Sequence, residues 1–211
     1  LDNVGTAKNV LNIAEGGFQA QMTILQTMKE KATQAADGSY STAQRTAIQD
    51  QFAALRTEFD DISSDTKFND NALMSATAMT FHVGEGSTDT LAVTFGTSVA
   101  ATVGEDNTDI SATTLATQAG ATAGIALLDT AIKSLSKSIQ NVGDNNARLS
   151  SKEESLSLAI SNTEATRSRI EDADFAKEQM GMMKLQILQQ TTISSFSQAN
   201  SAPQMVLSLL R

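Results

Sequence analysis

Ten positions near the front of this chain recur at alternating intervals of three and four: Val4, Ala7, Leu11, Ala14, Phe18, Gln21, Leu25, Met28, Ala32 and Ala35. A repeat of about three and a half residues keeps one face of an α-helix toward a partner, and it cannot line one face of a strand, which needs a period of two. A helix with such a stripe is not stable alone, so the chain must supply facing helices. One polar residue, Gln21, interrupts the seam.

Gly38, after Asp37, is placed for the left-handed residue that closes a helix. Ser41-x-x-Gln44 has the form of a capping box. Behind it Ile48, Phe52, Leu55, Phe59 and Ile62 repeat the intervals, which predicts two antiparallel helices joined by a short loop. After Asn71 the period becomes two. Met79, Phe81 and Val83 alternate with polar neighbours, residues 84–89 carry turn chemistry, and Leu91, Val93 and Phe95 resume the alternation, a β-hairpin. Residues 96–117, rich in Thr, Ala and Ser, predict a surface loop or irregular strands. Helical seams return with Leu128, Ile132, Leu135, Ile139, Val142, Asn146 and Leu149, and continue through Glu153, Leu156, Ile160, Thr163, Arg167 and Ile170. Gly143 and the polar seam positions are the weak points of that long helix. One Pro permits helices of such length, and the absence of Cys excludes disulfides and thiolate chemistry.

The carboxyl-terminal segment differs from the rest. No charged residue occurs between Lys184 and Arg211. Gln186, Gln189, Gln190, Thr191, Thr192, Ser194, Ser195 and Gln198 make it too polar to insert in a membrane. Ala173, Ala176, Met180, Met183 and Ile187 form one stripe; Met182, Leu185, Leu188, Thr192, Phe196 and Ala199 form another. A helix apolar on two faces needs partners on several sides, which points to association as its task, and alone it would bury little.

The net charge is −9. Nucleic acid is excluded as a partner, because phosphate binding needs clustered Lys and Arg. Between Lys67 and Lys133 no basic residue occurs, while Asp70, Glu85, Asp89, Glu105, Asp106, Asp109 and Asp129 do; such a stretch suits a solvated outer surface. No catalytic constellation, metal set or cofactor motif is present. His82 sits at a polar strand position, Gly84-x-Gly86 is a turn, and Glu153-Glu154 and Glu171-x-x-Asp174 are solvated or ion-paired faces. The chain is therefore read as no enzyme, with no cofactor.

Ser168-Arg169-Ile170-Glu171-Asp172-Ala173-Asp174-Phe175-Ala176, then Gln186-Ile187-Leu188-Gln189-Gln190, then Pro203-Gln204-x-Val206-Leu207-Ser208-Leu209-Leu210-Arg211, resemble the carboxyl end of bacterial flagellin. Ala14-Glu15-Gly16, Leu25-Gln26, Gln34-Ala35-Ala36-Asp37-Gly38 and Phe68-Asn69 resemble its front, in the same order. The resemblance covers roughly residues 1–75 and 125–211; the centre corresponds to the family's variable region and is short here.

The resemblance implies a mainly α fold: a long helical rod of antiparallel, coiled-coil-like helices with a small β-hairpin region in the middle. It divides the chain into amino-terminal rod helices over 1–75, a variable region over 76–124, a long rod helix over 125–168 and a filament-core assembly helix over 169–211. Members carry a further amino-terminal arm, so this chain is expected to be a shortened or proteolysed product, or an incompletely recovered sequence. The implied function is a structural subunit, exported unfolded by the flagellar type III apparatus, that polymerises into the extracellular motility filament at its cap. Implied partners are further copies of the chain, an export chaperone, and the cap and hook-junction proteins. Ala173, Ala176, Met180, Met183, Ile187, Leu188, Phe196, Val206, Leu207, Leu209 and Leu210 are the expected anchors for assembly and chaperone binding. Many members carry an innate-receptor epitope reading Leu-Gln-Arg-x-Arg-Glu-Leu. Here Leu25-Gln26-Thr27-Met28-Lys29-Glu30-Lys31 replaces an Arg by Thr27 and an apolar Leu by Lys31, and Gln51 stands where those relatives have Glu, so receptor recognition is expected to be weak. Two alternatives remain at this point: a hook–filament junction protein, separable by copy number, and a cytosolic coiled-coil adaptor, excluded by secretion.

Overall fold

A computed structural model describes the backbone of residues 1–75 and 78–209, and their side chains except Ala173 and residues 201–209. In chain order the elements are α1 (Asp2–Ala36), α2 (Thr42–Asp65), β1 (Lys67–Phe68), β2 (Asn71–Ala72), β3 (Ala78–His82), β4 (Thr90–Thr94), β5 (Ser98–Val99), β6 (Thr102–Val103) and α3 (Gln118–Leu209). The chain divides into two compact units, Leu1–Leu156 and Ser157–Arg211. The fold is mainly α, with small two-stranded ladders between the helices.

All ten positions of the first seam are buried on α1, joined by Val10. On α2 the seam buries Ile48, Phe52 and Phe59, while Leu55 and Ile62 are half-buried. Ser41 forms the capping box: its backbone N–H donates to Gln44 Oε1 (2.8 Å), and Gln44 N–H donates to Ser41 Oγ (3.4 Å). α1 ends differently from the expectation. Gly38 is not left-handed, and Asp37 is extended at φ −66° and ψ 131°. A side chain terminates the helix instead: Arg45 Nε donates to Ala35 O (2.9 Å) and Nη2 to Asp37 O (2.7 Å). Two carbonyls at the helix end thus gain a cationic donor, favourable at this end of the dipole, so no glycine is required there.

Within the first unit α3 runs antiparallel to α1. Lys8 Nζ meets Glu153 Oε2 at 2.9 Å, Asn146 Nδ2 donates to Asn12 Oδ1 at 3.2 Å, and Lys29 Nζ meets Asp129 Oδ1 at 2.5 Å. The seam on α3 lies one residue away from the expectation at several positions. Leu128, Leu135, Val142 and Leu149 are buried, but Ala131, Ser138 and Asn145 face inward where Ile132, Ile139 and Asn146 were expected. The isoleucines flank the seam and are half-buried. Small side chains let the neighbouring chain approach closely. Beyond Leu156 the seam buries nothing: Ile160 and Ile170 are exposed.

The small ladders pack against the helices of this unit. β3 and β4 form the expected hairpin, pairing Met79 with Val93 and Phe81 with Leu91. β4 buries Leu91 and Val93 and exposes its alternate residues, the pattern of a half-buried strand. β1 and β2, unforeseen in the sequence, join through Asn69 (φ 51°) and Asp70 (φ 62°), a two-residue turn of left-handed residues matched to the twist of a hairpin. The 96–117 stretch contains β5 and β6, so irregular strands is the reading that holds. Gly104 sits at φ +66° against α3, where a Cβ would lie 2.6 Å from the Ser134 carbonyl oxygen. Beside it Ser134 Oγ donates to Val103 O (2.7 Å) and accepts from Asp106 N–H (2.8 Å), fastening the loop to the helix.

Gln21, the one polar residue in the first seam, is fully buried. Its Nε2 donates to Phe59 O (2.8 Å) and Ser98 O (2.9 Å), and its Oε1 accepts from Ser98 Oγ (2.5 Å). The polar interruption joins α1, α2 and β5 at one point inside the core, which satisfies an amide that burial would otherwise penalise.

Candidate assembly surface

The second unit, from Ser157 onward, is one helical segment with no second element of its own to pack against. Every described side chain from residue 157 to residue 200 is exposed. Twelve large hydrophobics of α3 are among them, with Phe196 69% and Phe175 67% accessible. In the first unit such residues form a buried core that includes Phe18, Phe52, Phe59 and Phe95. Monomers rarely expose apolar surface on this scale, and where they do it marks an interaction site.

Of the expected anchors, Ala176, Met180, Met183 and Ile187 follow one another at helical spacing and are exposed, as are Leu188 and Phe196. The side chains of Ala173, Val206, Leu207 and Leu209, and the whole of Leu210, lie outside the described residues. Leu158, Phe175 and Ile193 are equally exposed and were not among the expected anchors. The last two stand beside Asp174 and Thr192, outside both stripes. The available signal for Ile193 was its place within the uncharged run after Lys184. Among the described residues of this segment, Arg167 Nε meets Glu171 Oε1 at 2.9 Å, one turn away along the helix.

The positions matched to the receptor epitope lie on the first unit. Thr27 is half-buried on α1 and its hydroxyl donates to Thr23 O (3.0 Å), so it is tied to its own helix. Lys31 is half-buried four residues further along α1, and Gln51 is exposed on α2. Lys29 and Glu30, between the first two, line an open groove with Gln26, Thr33, Asp129 and Ile132. Two exposed carboxylates have lowered pKa values. Asp37 is held down chiefly by the N–H of Ser39, which donates to it at 2.8 Å. Asp109 is held down by the Ser111 hydroxyl (2.7 Å) and then the Ser111 N–H (2.8 Å). Both close local turns in which a side chain stands in for a backbone acceptor. His82 ends β3, exposed, and among the described residues no three His, Asp or Glu side chains gather as a metal site. No described helix is long and apolar enough to cross a membrane.

A packed helical unit and a helical segment with exposed apolar side chains define the class, a structural protein that works within an assembly. Comparison with known proteins gives the family. Residues 1–79 match the bacterial flagellin N-terminal helical region, and residues 125–210 match the bacterial flagellin C-terminal helical region. Flagellin FlaB1 of Treponema pallidum is 31% identical over 99% of this chain and 78% of its own length. The flagellar filament 33 kDa core protein of Treponema phagedenis is 32% identical, with the same coverage of both chains. The flagellin of Listeria monocytogenes is 28% identical over 96% of this chain and 75% of its own. The crystal structure of Bacillus cereus flagellin shares the fold, with a TM-score of 0.60 and 24% identity, covering 70% of this chain and 84% of that one. The chain belongs to the bacterial flagellin family. It is a structural subunit of the flagellar filament.

Proposed function

We propose that the chain assembles through its helix from residue 157 onward, with Ala176, Met180, Met183, Ile187, Leu188 and Phe196 as anchors buried between copies. Ala173, Val206, Leu207, Leu209 and Leu210 join the same reading by their place in the sequence. The observation that carries it is the exposure of every described side chain over residues 157–200. Each Leu, Ile, Met or Phe that becomes fully buried contributes about 1.5–3 kcal/mol. Several per copy offset the roughly 4–15 kcal/mol lost in immobilising a subunit. A head-to-tail contact whose repetition does not close on itself gives an open helical polymer.

The same anchors serve, before export through the type III apparatus, as the surface an export chaperone covers; cap and hook-junction proteins then meet the chain outside the cell. In this reading residues 1–75 and 125–168 form the inner rod, 76–124 the outward variable region and 169–211 the filament core. It gives the chain a mechanical role and no reaction. The innate receptor is a weak partner, because Thr27 and Lys31 offer neither the guanidinium nor the apolar anchor of the epitope. Deletion of residues 170–211 tests the reading: residues 1–156 stay helical and cooperatively folded by circular dichroism, and electron microscopy of cells relying on this flagellin finds no filaments. Filaments of normal length from the deleted chain would refute it.

A further inference from the structure

The methionines whose side chains are described divide sharply by environment. Met28 and Met74 are 0% and 2% accessible in the core, and Met22 and Met79 are half-buried. Met180, Met182 and Met183 are 62%, 51% and 57% accessible within four consecutive residues. The residue between them, Gly181, has open space where a Cβ would stand, so no side chain there shields the sulfurs. Met180 and Met183 lie in the Ala176–Ile187 stripe; Met182 lies in the other, with Leu185. The chain has no Cys, so the thioethers are its softest nucleophiles toward peroxide.

We propose that Met180, Met182 and Met183 form a peroxide-modification site that controls entry into the filament: oxidised in the free chain, they keep it from assembling. The inference rests on the assembly reading above. A sulfur lone pair attacks one oxygen of hydrogen peroxide and the O–O bond breaks. The proton of the transferred oxygen passes to the departing hydroxide, which leaves as water. Sulfur loses two electrons and peroxide gains them. The product sulfoxide is a strong dipole, and Ala176, Leu185 and Ile187 offer it no side-chain donor. Burying it among apolar partners carries the penalty of an unsatisfied polar group. About tenfold in critical concentration per buried sulfoxide corresponds to 1.4 kcal/mol. The change is reversed by methionine sulfoxide reductases.

The test uses filaments dissociated to free chains, treated with hydrogen peroxide and mapped by peptide mass spectrometry. Met180, Met182 and Met183 are expected to oxidise faster than Met28 and Met74 by on the order of tenfold or more. The oxidised chains should assemble only at a critical concentration raised by about tenfold or more. Reductase treatment should restore assembly, and M180L/M182L/M183L should assemble after the same peroxide dose. An unchanged critical concentration with all three sulfurs oxidised would overturn the inference, as would equal peroxide sensitivity of the triple variant. If intact filaments are oxidised at these sulfurs as fast as free chains, the assembly reading of this helix fails, and the inference with it. Protection in the filament without inhibition of assembly removes only the inference.

Discussion

Gln21→Leu is the substitution that most directly probes how the first unit is held together. Leucine has nearly the size of glutamine, so the change removes polarity with little change in volume. Three hydrogen bonds disappear, of 2.8 Å to Phe59 O, 2.9 Å to Ser98 O and 2.5 Å from Ser98 Oγ. The Phe59 carbonyl lies inside α2 and keeps its helical environment, so the burden falls on Ser98, which is itself fully buried. Its hydroxyl and carbonyl, left without these partners, cost about 1–3 kcal/mol each. Leucine recovers about 1–2 kcal/mol because no amide has to be desolvated. The net loss is about 3 kcal/mol. At about 2–4 °C per kcal/mol for a unit of this size, the midpoint should fall by about 6–12 °C. Thermal and urea unfolding followed by far-ultraviolet circular dichroism measures it. Adding Ser98→Ala removes one of the orphaned groups, so the double variant should be less damaged than the two single losses summed, by about 1 kcal/mol. A Gln21→Leu protein as stable as the parent, or strictly additive losses, would show that the amide contributes nothing specific.

Gly104→Ala should destabilise the first unit by about 2–3 kcal/mol, since a left-handed alanine is strained and its methyl meets the Ser134 carbonyl; a midpoint unchanged in urea would contradict this. Asp37 and Asp109, both below the usual 3.8 when folded, hold their turns above that pH and release them as pH falls through the lowered values. Carboxyl resonances of both should titrate below 3.8; a midpoint at or above it would remove the stabilising role of the Ser39 and Ser111 donors. The parent chain should give a weak innate-receptor response, and Thr27→Arg with Lys31→Leu should strengthen it by on the order of tenfold or more by restoring a charged fork and an apolar anchor. A full response from the parent at ordinary flagellin doses would contradict that reading.

Much of the helical architecture was legible because helices obey short-range rules. The seam from Val4 to Ala35 names every face-inward residue of α1 except Val10, and Ser41 with Gln44 marks the start of α2. The Met79–Phe95 alternation gives the hairpin for the same reason, since side-chain direction in a strand depends only on the backbone. The lack of charge after Lys184 and the apolar stripes of the carboxyl-terminal helix were legible, and the described side chains of that segment are exposed. The Asn69-Asp70 turn escaped because two-residue strands leave no period to detect.

The sequence by itself determined where helices run, where the strands alternate and which segment combines apolar stripes with an absence of charge. Those properties follow from the 3.6 and 2.0 residue periods and from residue polarity, all local quantities. Only the tertiary structure decided that Arg45 rather than Gly38 ends α1, because the guanidinium comes from the next helix. It alone decided that Ala131, Ser138 and Asn145 face inward ahead of Ile132, Ile139 and Asn146, because the side that faces the partner depends on how closely that partner approaches. It also revealed what the single polar seam residue is for. Gln21 looks like a flaw in a heptad until Phe59 and Ser98, distant in sequence, are brought within hydrogen-bonding distance of it.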